Sequence, residues 1–204
     1  MNSYVNSFLK LKCAGDVLNV VGPMNNAEKE ISESIAIIKL LRPYALKNKM
    51  KFFVVDLCAG NALTSILAVH LLPVAGAFAF DKKKRSGHYD EVKRFNYHRM
   101  DISECRLQEK DIVISVHPCK TANLIIDLWN NSESPILIMM PCCKASYPDM
   151  PAFLWLETKM SKYDVWTYYL SQKIRNAKVK IITDGEVISP CRNIIYAKRR
   201  NSYE

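Results

Sequence analysis

A chain of 204 residues, 49% hydrophobic and 24% charged, has room for one sizeable core and little for a second. Its apolar runs fall short of the roughly 18 residues that a membrane-spanning helix needs, and MNSYVNSFLKLK lacks the apolar stretch of a signal peptide. A soluble cytoplasmic protein without a membrane partner is therefore expected, and the net charge of +9 with a pI near 9.2 sets up a field that attracts polyanions such as RNA or DNA.

In chain order, residues 1–24 read as an N-terminal extension to one domain spanning 25–204. Between Asn25 and Lys49 the apolar positions Ile31, Ile35, Ile38 and Leu41 recur at three- and four-residue steps. Glu28, Lys29, Glu30 and Glu33 lie between them, the pattern of an amphipathic helix bent near Pro43. Phe52 to Leu57 is a β-branched and aromatic run without polar alternation, as in a strand buried on both faces, and helical spacing resumes from Ala62 to Leu72. Ala75 to Phe80 predicts a second buried strand ending at Asp81, Tyr89 to Phe95 a loop with a short helix, and Tyr97 to Met100 a third strand closed by Asp101. Asp111 to Val116, Thr121 to Asn130 and Pro135 to Met140 continue as strand, helix and strand, an alternation that argues for a parallel sheet. The last third breaks the rhythm: Thr158 to Arg175 is helical, and Val179 to Ile182 with Asn193 to Ala197 predict an antiparallel hairpin around Asp184-Gly185.

Basic residues cluster at Lys82 to Arg85, Lys93-Arg94, Lys173 to Lys180 and Lys198 to Arg200, runs that most often form a solvated face. The seven cysteines, Cys13, Cys58, Cys105, Cys119, Cys142, Cys143 and Cys191, lack the spacing of a disulfide scaffold and read as reduced thiols.

An open α/β sheet binds ligands at the carboxyl ends of its strands, and the first strand-to-helix turn needs a small residue so that backbone can approach the ligand. Gly60 stands at that turn, and Asp81, ending the second strand, offers two acceptor oxygens suited to paired ribose hydroxyls. A dinucleotide fingerprint is absent, because AGNALT carries one glycine where G-x-G-x-x-G is needed.

The segment VVDLCAGNA, from Val54 to Ala62, resembles the first motif of class I S-adenosylmethionine-dependent methyltransferases: an acidic residue, small residues and a glycine after a hydrophobic strand. The resemblance covers about residues 50 to 200. It implies a Rossmann-like α/β fold with a seven-stranded sheet, mostly parallel with a C-terminal antiparallel hairpin, and helices on both faces. It implies S-adenosyl-L-methionine as cofactor, with Asp56 holding the methionine amino end directly or through water, and Ala59 and Gly60 bordering the cofactor. Asp81 would bind the ribose and Asp101 the adenine amine, with Cys58, Asn61, Lys82, Ile102 and Ser115 completing the cofactor set.

The strands before the substrate end run into His117-Pro118-Cys119-Lys120 and Pro141-Cys142-Cys143-Lys144. These are similar to methyltransferase-like proteins with His-x-Cys-Gly after the fourth strand and Pro-Cys-Cys after the fifth, with Lys120 in place of the usual glycine. His117 is a candidate general base or a loop histidine shaping the pocket. Cys119 and Cys142 are candidate nucleophiles of the kind used by cytosine-C5 methyltransferases, or small packing residues, with Lys120 or Lys144 placed to lower a thiol pKa. Pro118, Lys120, Pro141 and Cys143 complete the candidate substrate end. His117, Cys119, Cys142 and Cys143 also have zinc-binding chemistry, but adjacent cysteines chelate poorly, and no metal is expected. Tyr147, Phe153, Trp155, Tyr163 and Trp166, near Lys159 and Lys162, are candidates to stack bases or to cap a core. The leading expectation is a methyltransferase acting on RNA. The alternatives are a non-catalytic partner subunit keeping the cofactor fold as a scaffold, and a methyltransferase of a protein or small molecule.

Overall fold

The structure is a computed structural model and describes residues 2–83, 86–142 and 159–199. Among them, no helix is long and apolar enough to cross a membrane. The elements run α1 (Ser3–Leu9), α2 (Ala14–Val20), α3 (Ala27–Lys47), β1 (Phe53–Leu57), α4 (Leu63–Leu71), β2 (Gly76–Asp81), β3 (Phe95–Arg99), β4 (Asp111–Val116), α5 (Ala122–Asn130), β5 (Ile136–Met140), α6 (Lys162–Gln172), β6 (Ala177–Thr183) and β7 (Asn193–Arg199). The strands form one seven-stranded sheet in the order β3-β2-β1-β4-β5-β7-β6. The first five are parallel, and β7 inserts antiparallel between β5 and β6.

This is the sheet expected from the alternating pattern, with its reversed C-terminal hairpin. Central strands β4 and β5 are buried almost throughout, which is why they read as continuous apolar runs. One face packs against α1 to α4 around Ile37, Leu41, Ile66 and Ile112, and the other against α5 and α6 around Trp129, Trp166 and Leu137. Helix α3 starts where the Asn26 side chain accepts the Lys29 N–H, with Glu28 and Glu30 in its positive first turn, and continues through Pro43. In α6 the Ser161 side chain accepts the Asp164 N–H and donates to its carboxylate, a cap that starts the helix within the expected span.

Three differences from the sequence reading matter. The expected short helix at Tyr89 to Phe95 is one 3-10 turn, Tyr89–Glu91, and Phe95 already begins β3. Residues 1–24 carry two helices, whose Tyr4, Phe8, Val17 and Val20 belong to the same core as α3 and α4. Glu33, placed by periodicity among the solvated positions of α3, is 1% exposed, on the same buried ridge as Ile37 and Leu41.

Candidate functional site

The carboxyl ends of β1, β2, β4 and β5 open into a cavity of about 1050 Å³. Its floor is the turn after β1, where Cys58, Gly60 and Ala62 all take positive φ (62°, 57° and 62°). A Cβ built on Gly60 would meet no atom of the described residues within 4 Å, so this backbone faces the cavity. Contacts outside the motif hold the turn. Ala59 N–H donates to the Phe80 carbonyl, Tyr97 OH to the Gly60 carbonyl at 2.8 Å, and Tyr89 OH to the Asn61 carbonyl at 3.3 Å. The two tyrosine rings stack with centroids 4.5 Å apart. Asn61 accepts the Leu63 N–H at the start of α4 and donates to Glu30 at 2.6 Å.

Asp81 closes the adjacent wall. One carboxylate oxygen accepts the Gly60 N–H at 2.9 Å and the other the Lys83 N–H at 2.9 Å. Lys82 turns to Asp101 at 2.6 Å, and this hydrogen-bonded partner raises the Lys82 pKa while holding the Asp101 carboxyl at about 2. Asp101 also accepts the Ser103 N–H, which places Ile102 on the cavity wall. Asp56 lies behind the turn, 2% exposed, and burial raises its pKa to about 7 against opposing hydrogen bonds from Ser65 in α4.

The other end is built from the loops after β4 and β5, with α3 across from them. His117 has φ 56° and donates its backbone N–H to the Met140 carbonyl at 2.8 Å. Its Nε2 lies 2.6 Å from a Glu33 carboxylate oxygen, to which Lys29 also comes within 3.5 Å, while Nδ1 is buried and has no hydrogen-bond partner among the described residues. Cys119 Sγ and Cys142 Sγ are 2.9 Å apart. Cys58 Sγ contacts Thr121 Oγ1 at 3.1 Å, and burial pushes its thiol pKa up.

Of the candidate residues, Cys58, Ala59, Gly60, Asn61, Asp81, Lys82, Ile102, His117, Pro118, Cys119, Lys120 and Cys142 line this one cavity. Asp56, Asp101, Ser115 and Pro141 stand behind it: Ser115 donates to the Leu57 carbonyl, tying β4 to β1, and Pro141 accepts from Tyr163. Tyr163 reaches the Asn193 carbonyl as well, and Trp166 is 2% exposed in the core, the capping role rather than the stacking one. Cys143, Lys144, Tyr147, Phe153 and Trp155 lie outside the described residues. Among those described, no group of three or more histidines, cysteines and carboxylates is placed to hold a metal ion. Sequence reasoning missed Glu33, Tyr89 and Tyr97; the one signal for Glu33 was its i to i+4 spacing from Ile37.

No family model matches the chain, and no curated protein does. Solved structures share its fold. A proposed RNA methyltransferase from Pyrococcus horikoshii is 16% identical, with 98% of this chain and 96% of that chain covered and a TM-score of 0.54. A precorrin-6y C5,15-methyltransferase from Geobacter metallireducens is 18% identical over 88% and 93% of the chains, also at 0.54. An MtNAS variant in complex with S-adenosylmethionine is 10% identical over 96% and 70%, at 0.53. Similarity of this kind identifies an architecture, and the chain has a Rossmann-like, seven-stranded fold that it shares with methyltransferases.

Proposed function

We propose that the chain is an S-adenosylmethionine-dependent methyltransferase whose acceptor is RNA. The observation that carries the reading is the junction of Gly60 and Asp81, where an open backbone turn and a strand-end carboxylate meet on one wall of the cavity. Each Asp81 oxygen accepts one backbone N–H and keeps a further lone pair, so the carboxylate can still accept the two vicinal hydroxyls of an adenosine ribose. Ile102 gives an apolar wall against which an adenine ring can lie, and the positive-φ turn from Cys58 to Ala62 leaves room for the methionine end. Asp56, behind that turn, would reach an ammonium group only through water. When bound, the cofactor supplies an electrophilic methyl group.

His117, Cys119 and Cys142 form the acceptor end of the same cavity. Glu33 accepts the Nε2 proton of His117, which fixes the ring and the loop after β4; His117 then orients the acceptor wall, and Glu33 acts through it as a positioning residue. Lys83 and Lys120 line the rim, and with the net charge of +9 they favour a polyanionic acceptor. The neighbour from Pyrococcus horikoshii, itself only a proposed RNA methyltransferase, supports the same choice.

Calorimetry with S-adenosylmethionine and its demethylated product tests the first half: both should bind, and Asp81→Ala should abolish the heat. Tritium transfer from labelled cofactor to RNA, protein and small-molecule fractions tests the second. Label in protein or metabolite alone would overturn the RNA assignment. Cofactor binding without transfer to any fraction would favour the scaffold, and no binding would sink the whole reading.

A further inference from the structure

Two thiols at the acceptor end have a relationship that methyl transfer does not use. The β4–β5 register pairs Val116 with Met140, so the loops beyond these strands leave side by side. The chain after β4 turns back through two left-handed residues, His117 (φ 56°) and Cys119 (φ 48°), and this turn delivers Cys119 to Cys142. The sulfurs are 2.9 Å apart, and neither cysteine is in a disulfide among the described residues. A disulfide needs about 2.05 Å, so closing the bond takes a sulfur movement of less than about 1 Å. Cys119 is exposed and Cys142 is 9% exposed, the disposition of a thiol that meets an oxidant and a sheltered thiol that resolves it.

Three other described thiols are less suited. Cys58 is engaged by Thr121, Cys105 is buried with its pKa pushed up to about 11 by desolvation, and burial also raises that of Cys13.

We propose that Cys119 and Cys142 form a reversible thiol–disulfide modification site that, when oxidised, ties the loops after β4 and β5 together across the acceptor end. Hydrogen peroxide is the oxidant: the Cys119 thiolate attacks one peroxide oxygen, the O–O bond breaks, hydroxide leaves, and Cys119 becomes a sulfenic acid. The Cys142 thiol then attacks that sulfur, the S–O bond breaks and water departs, leaving the disulfide. Two equivalents of a small thiol such as glutathione reverse the step, becoming oxidised glutathione as both cysteines return to thiols. The cross-link is independent of the methyltransferase reading; its effect on acceptor entry rests on that reading.

The test begins with the reduced full-length wild-type chain. It is titrated with hydrogen peroxide, remaining thiols are blocked with N-ethylmaleimide, and non-reduced digests are mapped by mass spectrometry. The expected product is a Cys119–Cys142 cross-link lighter by two hydrogens, formed before Cys13 and Cys191 react and reversed by dithiothreitol. It should be lost in Cys119→Ser and in Cys142→Ser and kept in Cys143→Ser. A cross-link between Cys142 and Cys143, or one at Cys119 that follows oxidation of Cys13 and Cys191, overturns the proposal. Oxidation should lower RNA methylation by at least about tenfold while leaving cofactor affinity within about twofold. Unchanged transfer by the cross-linked protein overturns the claim that the bond spans the acceptor end. A cross-link in a protein that methylates nothing even when reduced supports the modification site and defeats the proposed function instead.

Discussion

Single residues at this site differ in whether charge, hydrogen bonding or shape decides their effect. Asp81 joins two walls through charge-assisted hydrogen bonds to Gly60 and Lys83, and in the proposed complex it adds bonds to the ribose. Such bonds contribute about 1.5–3 kcal/mol each, so Asp81→Asn, which keeps one acceptor oxygen, should weaken cofactor binding by about 10- to 100-fold. Calorimetry reads this directly, and an affinity within about twofold of wild type would remove Asp81 from the ribose site. Asp56 is governed by desolvation. In the unfolded chain its carboxyl ionises near its ordinary value of 3.8, and in the folded protein near 7, so between these values the folded state holds the extra proton. Stability therefore falls as pH rises from about 4 to about 7, and the full cost persists above that. Asp56→Asn cannot ionise and still accepts from Ser65, so it should gain on the wild type by a few kcal/mol between pH 4.5 and pH 8 in denaturant unfolding. A gap that stays constant across that range would contradict the buried ionisation. Glu33 shows why one site residue was hard to find. Its charge assigned it to solvent against its spacing from Ile37, and its partner His117 lies 84 positions away and arrives only when β4 is in the sheet.

At the scale of elements, the turn after β1 and the helix before it are the informative comparison. The strands were legible because burial on both faces removes polar alternation, and Gly60 and Asp81 were legible because strand ends in a parallel sheet are positions of known use. The tyrosine brace was not legible: Tyr89 and Tyr97 look like ordinary aromatic residues until β3 pairs with β2 and brings both hydroxyls under the turn. Gly60→Ala separates shape from stability. Its Cβ would clash with nothing but would have to occupy φ 57°, a cost of roughly 1–2 kcal/mol. The added methyl group stands in the cavity, so cofactor affinity should fall while the fold survives with a slightly lower Tm. Gly15, inside α2 and also without neighbours near its missing Cβ, is the control, since Gly15→Ala should stabilise by roughly 0.5–1 kcal/mol with binding unchanged. Equal losses of affinity in the two variants would show that Gly60 does not border the ligand.

For the whole molecule, the decisive question is what residues 1–24 do, because their short apolar groups carry little periodic signal and read as an extension. Yet Tyr4, Val5, Phe8, Val17 and Val20 are all buried, Phe8 and Val17 completely, in the core that α3 and α4 share. Burial of such side chains contributes on the order of 1.5–3 kcal/mol each, and together they rival the roughly 5–15 kcal/mol that holds a whole domain folded. The same helix reaches the far end of the chain. Tyr4 OH donates to Asp184 at 2.6 Å and Asn2 donates to the Glu186 carbonyl at 2.6 Å, fixing the loop between β6 and β7. Ser189, Pro190 and Cys191 of that loop line the cavity, so α1 supports the site from a distance. A chain lacking residues 1–24 should therefore accumulate as insoluble protein or unfold without a cooperative transition. In the full chain, Phe8→Ala should cost about 3–5 kcal/mol in denaturant unfolding. Asn2→Ala removes the bond to the loop between β6 and β7 together with the α1 N-cap, where the Asn2 side chain accepts the Tyr4 and Val5 N–H groups, so it should lower Tm and also change acceptor turnover through the cavity-lining loop. A truncated chain that melts cooperatively within a few degrees of the full one would return residues 1–24 to the status of an appendage, and with it the idea that the N-terminus shapes the site.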